Sequence, residues 1–386
     1  MSIKKKLVIG LLFAMTTLSF SSTVKAVYDN KISSSVKTNI KYKGSDLPKL
    51  LDYVFIKTVT GNIRKKPSTG SGIILKAPFN SKFRALEKIQ VRKSIWYKVQ
   101  VGNEIGYVSG GIVHFKQFRF EKMLGSIKDL ETFINVSKKK GLKLVSTHSY
   151  KPNPYNEEMN RKKDKYGVSL DQNIIGIYEP ENLVLHVPDR SIMTVLKEEG
   201  KYAMVDVQGI KESPLKIEKS YITSNPNIAK GFKKAIVADI ENQNLGMFEK
   251  INGEWTLISY IYGKTGLEST LGFETPRGSY VVPNVKYEME YRDVYGRNSG
   301  MARYAIRFSG GGYLHGTPLE YVENKNKDFF LDEKERGLGT YKGTRKCIRN
   351  TEEHAKFLFD WVLEGQKRNI NSNYQRPKEN VMFIIF

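Results

Sequence analysis

The sequence predicts a mainly β protein of two or three domains, on three observations. Its 386 residues exceed the usual one domain per ~100–200 residues. Short runs of alternating apolar and polar residues, broken by glycine and proline turns, recur along most of the chain. Only two stretches carry helical spacing. Disorder is excluded, because 40% hydrophobic residues, with 19 Phe and 22 Tyr, can bury enough surface to offset the entropy of ordering the chain. One cysteine excludes an internal disulfide and leaves Cys347 as an inert buried hydrophobe, an intermolecular link or a reactive thiol.

Lys4, Lys5 and Lys6 precede an uncharged stretch from Leu7 to Phe20, and Val24-Lys25-Ala26 supplies short residues at a cleavage position. Residues 1–26 therefore read as a secretory signal peptide; the apolar part is shorter than the ~20 residues of a spanning helix, so no transmembrane domain remains after cleavage. The formal charge is +23; the first 26 residues carry four lysines and no acid, which leaves +19 on the remainder. No nucleic-acid motif accompanies this charge, so anionic envelope polymers are its expected partners, with solvated surface accounting for most of it.

Residues 50–118 contain strand-like runs around Gly61-Asn62-Ile63-Arg64, Phe83-Arg84-Ala85-Leu86, Trp96-Tyr97-Lys98-Val99 and Gly106-Tyr107-Val108. The pattern Asn62, Arg64, Pro67, then Trp96 and Val99, then Gly106-Tyr107-Val108 resembles the bacterial SH3 domain, which implies a small β-barrel serving as a wall- or partner-binding module, or as a spacer. In residues 119–225, Ser126 with Asp129 predicts a helix N-cap, Leu130, Phe133, Ile134 and Val136 its apolar stripe, and Gly141 its stop. Tyr150 to Asp171 reads as a loop or linker. Ser191–Leu196 and Tyr202–Gly209 echo Ser81–Leu86 and Tyr97–Gly102, which suggests a second SH3-like barrel; Asn225-Pro226-Asn227 marks the boundary to residues 226–386. There strands return at Ala235–Ala238, Gly246–Phe248, Trp255–Ile261 and Gly278–Val282; Asn350 and Glu353 predict the cap of a helix ending at Gly365, and Val381–Phe386 a closing strand.

The cysteine lies in Gly343-Thr344-Arg345-Lys346-Cys347-Ile348-Arg349-Asn350, with Lys342, Arg345, Lys346 and Arg349 as neighbouring cations. Positive charge and the following helix N-terminus both favour a thiolate, predicting a pKa below the free value of ~8.5. A cysteine nucleophile needs a base, and His315, in Gly310-Gly311-Gly312-Tyr313-Leu314-His315-Gly316, has the setting for one. His114, His148, His186 and His354 stand singly without metal-ligand spacing and read as surface or core filler, so neither metal nor cofactor is expected.

Four elements here resemble the L,D-transpeptidase (YkuD-type) catalytic domain: Thr275-Pro276-Arg277-Gly278, Tyr313-Leu314-His315-Gly316, the Thr344-Arg345-Lys346-Cys347-Ile348-Arg349 signature, and the helix and strand that follow. The resemblance implies a β-sandwich or barrel with a helix after the catalytic cysteine. It makes Cys347 the acylated nucleophile, His315 the general base, and Gly316 the carbonyl that orients the imidazole; Arg345, Lys346, Thr344 and Arg349 become oxyanion or substrate contacts. Arg345 stands where the family has histidine and Lys346 where it has glycine, so His315 is the one credible base. The interval from His315 to Cys347 is long for the family, and its charged excess, Tyr321 to Arg336, reads as a lid or recognition loop.

The resemblance further implies an exported enzyme of the periplasm or cell wall, acting on peptidoglycan stem peptides and forming 3→3 cross-links through a thioester. An L,D-carboxypeptidase or a wall-protein attachment enzyme would use the same residues. The two signature changes keep open a catalytically degenerate peptidoglycan-binding protein. Oligomeric state is not legible.

Overall fold

The computed structural model describes residues 25–150, 161–223, 228–270, 272–292, 295–369 and 372–386. The body of the expected signal peptide, residues 151–160 of the expected linker and the expected boundary Asn225-Pro226-Asn227 lie outside them. Among the described residues the strands form four sheets, and no helix is long and apolar enough to cross a membrane.

The first sheet gathers the strands from Asp52–Ile56 to Val113–Gln117 and, against Lys82–Val91, the short strand Lys25–Val27, all antiparallel, around a core of Val54, Ile56, Ile63, Ala85, Val99 and Val108. Its longest hairpin pairs Lys82–Val91 with Ser94–Val101 and breaks register between Ala85 and Glu87. The second antiparallel sheet spans Lys143–Thr147 to Ile222–Thr223. There Ile192–Glu199 pairs with Tyr202–Val207, with a register break between Val195 and Lys197. The two hairpins are the segments that echo each other in sequence, and the bulge falls at the equivalent position in both.

Between the two sheets runs a helix, Phe120–Lys139. It begins six residues before the expected start at Ser126, whose hydroxyl instead donates to the Lys122 carbonyl within the helix. The apolar stripe decides this: Phe120, Met123, Ile127, Leu130 and Ile134 recur at three- and four-residue spacing and are all buried, so their burial extends the helix past the polar cap signal. Gly141 takes φ +67° just after the last turn, as a left-handed stop requires.

The C-terminal unit is two facing sheets. One has the order Glu254–Tyr262, Asn244–Ile251, Lys234–Asp239, Val381–Ile385, Gly278–Val281, with a parallel pair at Lys234–Asp239 and Val381–Ile385 and antiparallel pairs elsewhere. The other carries Ile348–Arg349, Gly312–His315, Asn298–Ser309 and Val285–Arg292. Ile236, Met247 and Phe383 of the first meet Ile306, Phe308 and Leu314 of the second, and the helix Glu352–Leu363 inserts Leu358, Phe359 and Val362 into the same core. Every residue of Lys234–Asp239 and Val381–Ile385 is buried, because the helix Phe120–Lys139 covers the outer face at Ala235, Val237, Met382 and Ile384. The helix Glu352–Leu363 is capped by Thr351, whose hydroxyl accepts from the His354 N–H, and not by Asn350 as expected.

Two further features complete the C-terminal unit. Residues Lys37–Lys41 run beside Glu254–Tyr262, with Asn39 and Lys41 N–H groups donating to the Leu257 and Ile258 carbonyls. The expected lid, Tyr321 to Arg336, is helical: a 3₁₀ turn Tyr321–Asn326 followed by the α-helix Lys327–Arg336.

Candidate active site

The site is built on the parallel pair Gly312–His315 and Ile348–Arg349, in register Leu314 to Ile348 and His315 to Arg349. Side chains alternate along a strand, and Leu314 and Ile348 are buried in the sandwich core. Tyr313, His315, Cys347 and Arg349 therefore share the opposite face. The sequence, which sets Cys347 32 positions after His315, does not state this proximity; the strand pairing does.

His315 is buried, and its Nδ1 lies 2.7 Å from the Gly316 carbonyl oxygen. A carbonyl only accepts, so Nδ1 carries the proton and Nε2 holds the basic lone pair. Burial, opposed by this hydrogen bond and aided by the Arg349 charge, lowers the imidazole pKa to about 4. At neutral pH the ring is an uncharged acceptor. Gly316 has a steric reason: a Cβ there would stand 3.1 Å from Glu352 Cα at the start of the following helix.

Cys347 is half-buried, and its Sγ lies 3.7 Å from the Gly311 carbonyl oxygen. Burial pushes the thiol up, against the Tyr313 N–H and the Lys346 and Arg349 charges, which pull it down. The expected low pKa is thus corrected: burial outweighs the charges, and the side chains bring less charge to the thiol than the sequence suggests. Lys342 pairs with Glu274, Arg345 is exposed, and the buried Lys346 ammonium is neutralised by Asp171 at 2.8 Å. Four cations crowd the cysteine in sequence, but few of their charges face it uncompensated.

The remaining residues hold the turn. The Thr344 hydroxyl donates to the Cys347 carbonyl. The Arg345 carbonyl accepts from the Phe273 N–H at 3.0 Å. Lys346 has φ +154°, inside the region where glycine is at ease, so the backbone keeps a glycine-like conformation although the side chain is lysine. Its carbonyl accepts from Thr275 Oγ1 at 2.8 Å, which ties the Thr275-Pro276 turn to the residue before the cysteine. Arg349 is half-buried with no hydrogen-bond partner at Nε, and its backbone exchanges two 2.8 Å bonds with Lys264.

His354, which reads as filler in the sequence, is fully buried, with Nε2 2.7 Å from Ser259 Oγ and Nδ1 3.0 Å from Asn350 Nδ2. The Asn350 N–H donates to the His315 carbonyl at 3.1 Å, so this pair braces the candidate base. The four-residue spacing of Asn350 and His354 at a helix start is the one sequence signal for it. Asp171 and Gln172 come from the preceding sheet unit and carry no local motif. A cavity of about 350 Å³ lies at that boundary, lined among others by Asp171, His186, Thr275 and Lys346. Among the described residues no cluster has the makings of a metal site.

This geometry has relatives. Residues 233–370 match the L,D-transpeptidase catalytic domain. Residues 58–114 match the bacterial SH3 domain. Solved structures that the chain matches include an L,D-transpeptidase from Mycobacterium smegmatis, 12% identical over 76% of this chain and 90% of that one, TM-score 0.28. L,D-transpeptidase 3 from Mycobacterium tuberculosis is 16% identical over 62% of this chain and 92% of its own, TM-score 0.26. A fused zinc-dependent amidase/peptidase and peptidoglycan-binding protein from Clostridium acetobutylicum is 14% identical over 40% of this chain, which spans about half (52%) of it, TM-score 0.25. No curated protein matches the chain.

Proposed function

We propose that the protein is an exported L,D-transpeptidase that forms 3→3 peptidoglycan cross-links through a thioester on Cys347. The supporting observation is a half-buried thiol and a neutral imidazole on one face of a parallel strand pair, with the imidazole tautomer fixed by the Gly316 carbonyl. Burial raises the thiol and lowers the imidazole, so the resting pair is neutral and the proton moves as the bond forms.

His315 Nε2 takes the thiol proton as Cys347 Sγ attacks the carbonyl of the third stem residue, a diamino acid. The tetrahedral intermediate collapses with cleavage of the peptide bond; His315 returns the proton to the departing D-Ala amine, leaving the thioester. The side-chain amine of a second stem then attacks, and the thiol is regenerated. Backbone N–H groups beside Cys347 serve the oxyanion. Thr344 and Lys346 set the turn that presents them, while Arg349 and the exposed Arg345 contact the stem peptide. Residues 1–26 act as the signal peptide, 50–118 as an SH3-like module, 119–225 as a linker helix with a second barrel, and 226–386 as the catalytic domain, with periplasm or cell wall as the site of action.

Muropeptide mass analysis with purified protein tests this. Tetrapeptide stems are expected to give cross-linked dimers, and Cys347→Ala to give none. Full activity in that variant would remove Cys347 from the reaction. Tripeptides without dimers would reassign the protein as a carboxypeptidase. A folded protein with reduced thiol that also forms no carbapenem adduct would be a binding module.

A further inference from the structure

Two consecutive residues of the middle sheet unit reach the two sides of the cysteine. Asp171, 5% exposed, accepts from the Lys346 ammonium through Oδ2 at 2.8 Å and through its backbone carbonyl at 3.1 Å. Gln172, at φ +50°, covers the Gly310-Gly311 turn so closely that a Cβ on Gly311 would stand 2.4 Å from Gln172 Oε1. That turn supplies the carbonyl beside Cys347 Sγ. The unit is also fixed elsewhere: Arg307 pairs at 2.6 Å with the fully buried Asp189, and the Val281 N–H donates to the Arg190 carbonyl at 3.2 Å.

We infer that Asp171 is a positioning residue for Cys347, so that the middle sheet unit is part of the active site and not a tether. The inference rests on Cys347 being the nucleophile. Its chemistry is that of a lysine in a glycine's place. A lysine at φ +154° holds that backbone against its own preference. Asp171 anchors the side-chain end and Thr275 Oγ1 the carbonyl end, and the peptide leading into Cys347 is clamped between them. Removing the carboxylate frees the peptide and leaves a buried ammonium without its counter-charge. The charged and titratable groups around the thiol are Lys346 and Arg349 on its own segment, Tyr313 and His315 on the paired strand, and Asp171 across the boundary.

The test uses the full chain with Asp171→Asn, alone and combined with Lys346→Gly. Two rates are followed by intact mass: iodoacetamide alkylation of the sole cysteine across pH, and acylation by a carbapenem. Asp171→Asn is expected to slow acylation about ten-fold or more while moving the alkylation midpoint down by about one pH unit, since the unmatched ammonium favours the thiolate. Adding Lys346→Gly is expected to bring acylation back to within about three-fold of wild type, because glycine takes this φ without an anchor. Wild-type acylation and midpoint in Asp171→Asn, or a double variant as slow as the single, overturns the proposal. Should Asp171→Asn fail to fold, the double variant, which buries no lone charge, is compared with wild type: acylation within about three-fold supports the proposal and a ten-fold or greater loss overturns it. A wild type inert to the carbapenem would count against the nucleophile reading, and the alkylation midpoints alone would then decide the role of Asp171.

Discussion

At the residue scale, the candidate site works by desolvation more than by charge. An imidazole with a pKa near 4 on the same face as a thiol raised by burial stores no thiolate–imidazolium pair, so the proposed base role of His315 requires substrate to draw the proton across. The acid limb of kcat/KM is therefore expected near pH 4, where Nε2 becomes protonated and the acceptor is lost; a limb near 6.5 would show an imidazole in contact with water. His315→Gln, which keeps volume but offers no base, is expected to reduce turnover by about 10²–10⁴-fold in a muropeptide assay. Cys347 and His315 stand out in the sequence as candidates because glycine flanks and a cysteine before a helix are local patterns. The sequence misplaced the thiol's pKa because burial raises it against the Lys346 and Arg349 charges, and the carboxylate that pairs with Lys346 lies 175 residues away. Local charge counting cannot see a partner that only the tertiary fold brings near.

Among the elements, the helix Glu352–Leu363 does most to hold the site, since its first turn touches Gly316 and its cap adjoins Asn350. The Thr351 hydroxyl accepts from the His354 N–H and donates to Asp46 in the chain's N-terminal stretch. Thr351→Ala is expected to cost about 1 kcal/mol in urea unfolding. A change within error would mean that tertiary contacts alone fix this helix start. His354, behind it, has its pKa lowered by burial to about 3. In the unfolded chain both His354 and His315 bind protons below about pH 6.5, whereas in the fold they stay neutral until about 3 and 4. Stability is thus expected to fall as pH drops from 6.5 toward 4, by up to about 1.4 kcal/mol per pH unit for each proton; thermal melts of wild type and His354→Gln between pH 4 and 7 separate the two contributions. Strand existence was legible from alternation and turns. The start of the helix Phe120–Lys139 was not, because Ser126 offers a good cap signal that loses to the burial of Phe120 and Met123.

For the whole molecule, the units are fused by burial. Arg119, at the head of the long helix, makes a two-pronged ion pair at 2.6 and 2.8 Å with Asp239, which is fully buried on the central catalytic strand. Arg119→Ala leaves that carboxylate without its cation and is expected to destabilise the chain by about 3–5 kcal/mol, read from urea midpoints. The helix also covers Ala235, Val237, Met382 and Ile384. A fragment of residues 226–386 is accordingly expected to scatter light and aggregate where the intact chain does not; a monodisperse fragment would show that this face tolerates water. The parallel pairing of Lys234–Asp239 with Val381–Ile385 has one more outcome, and it concerns time. The strand that joins Lys234–Asp239 to Gly278–Val281 in this sheet follows the cysteine in the chain, whereas both bulged hairpins can close as soon as they emerge. A chain emerging from its N-terminus would thus carry the Cys347 turn on an incomplete sheet until the Val381–Ile385 strand arrives.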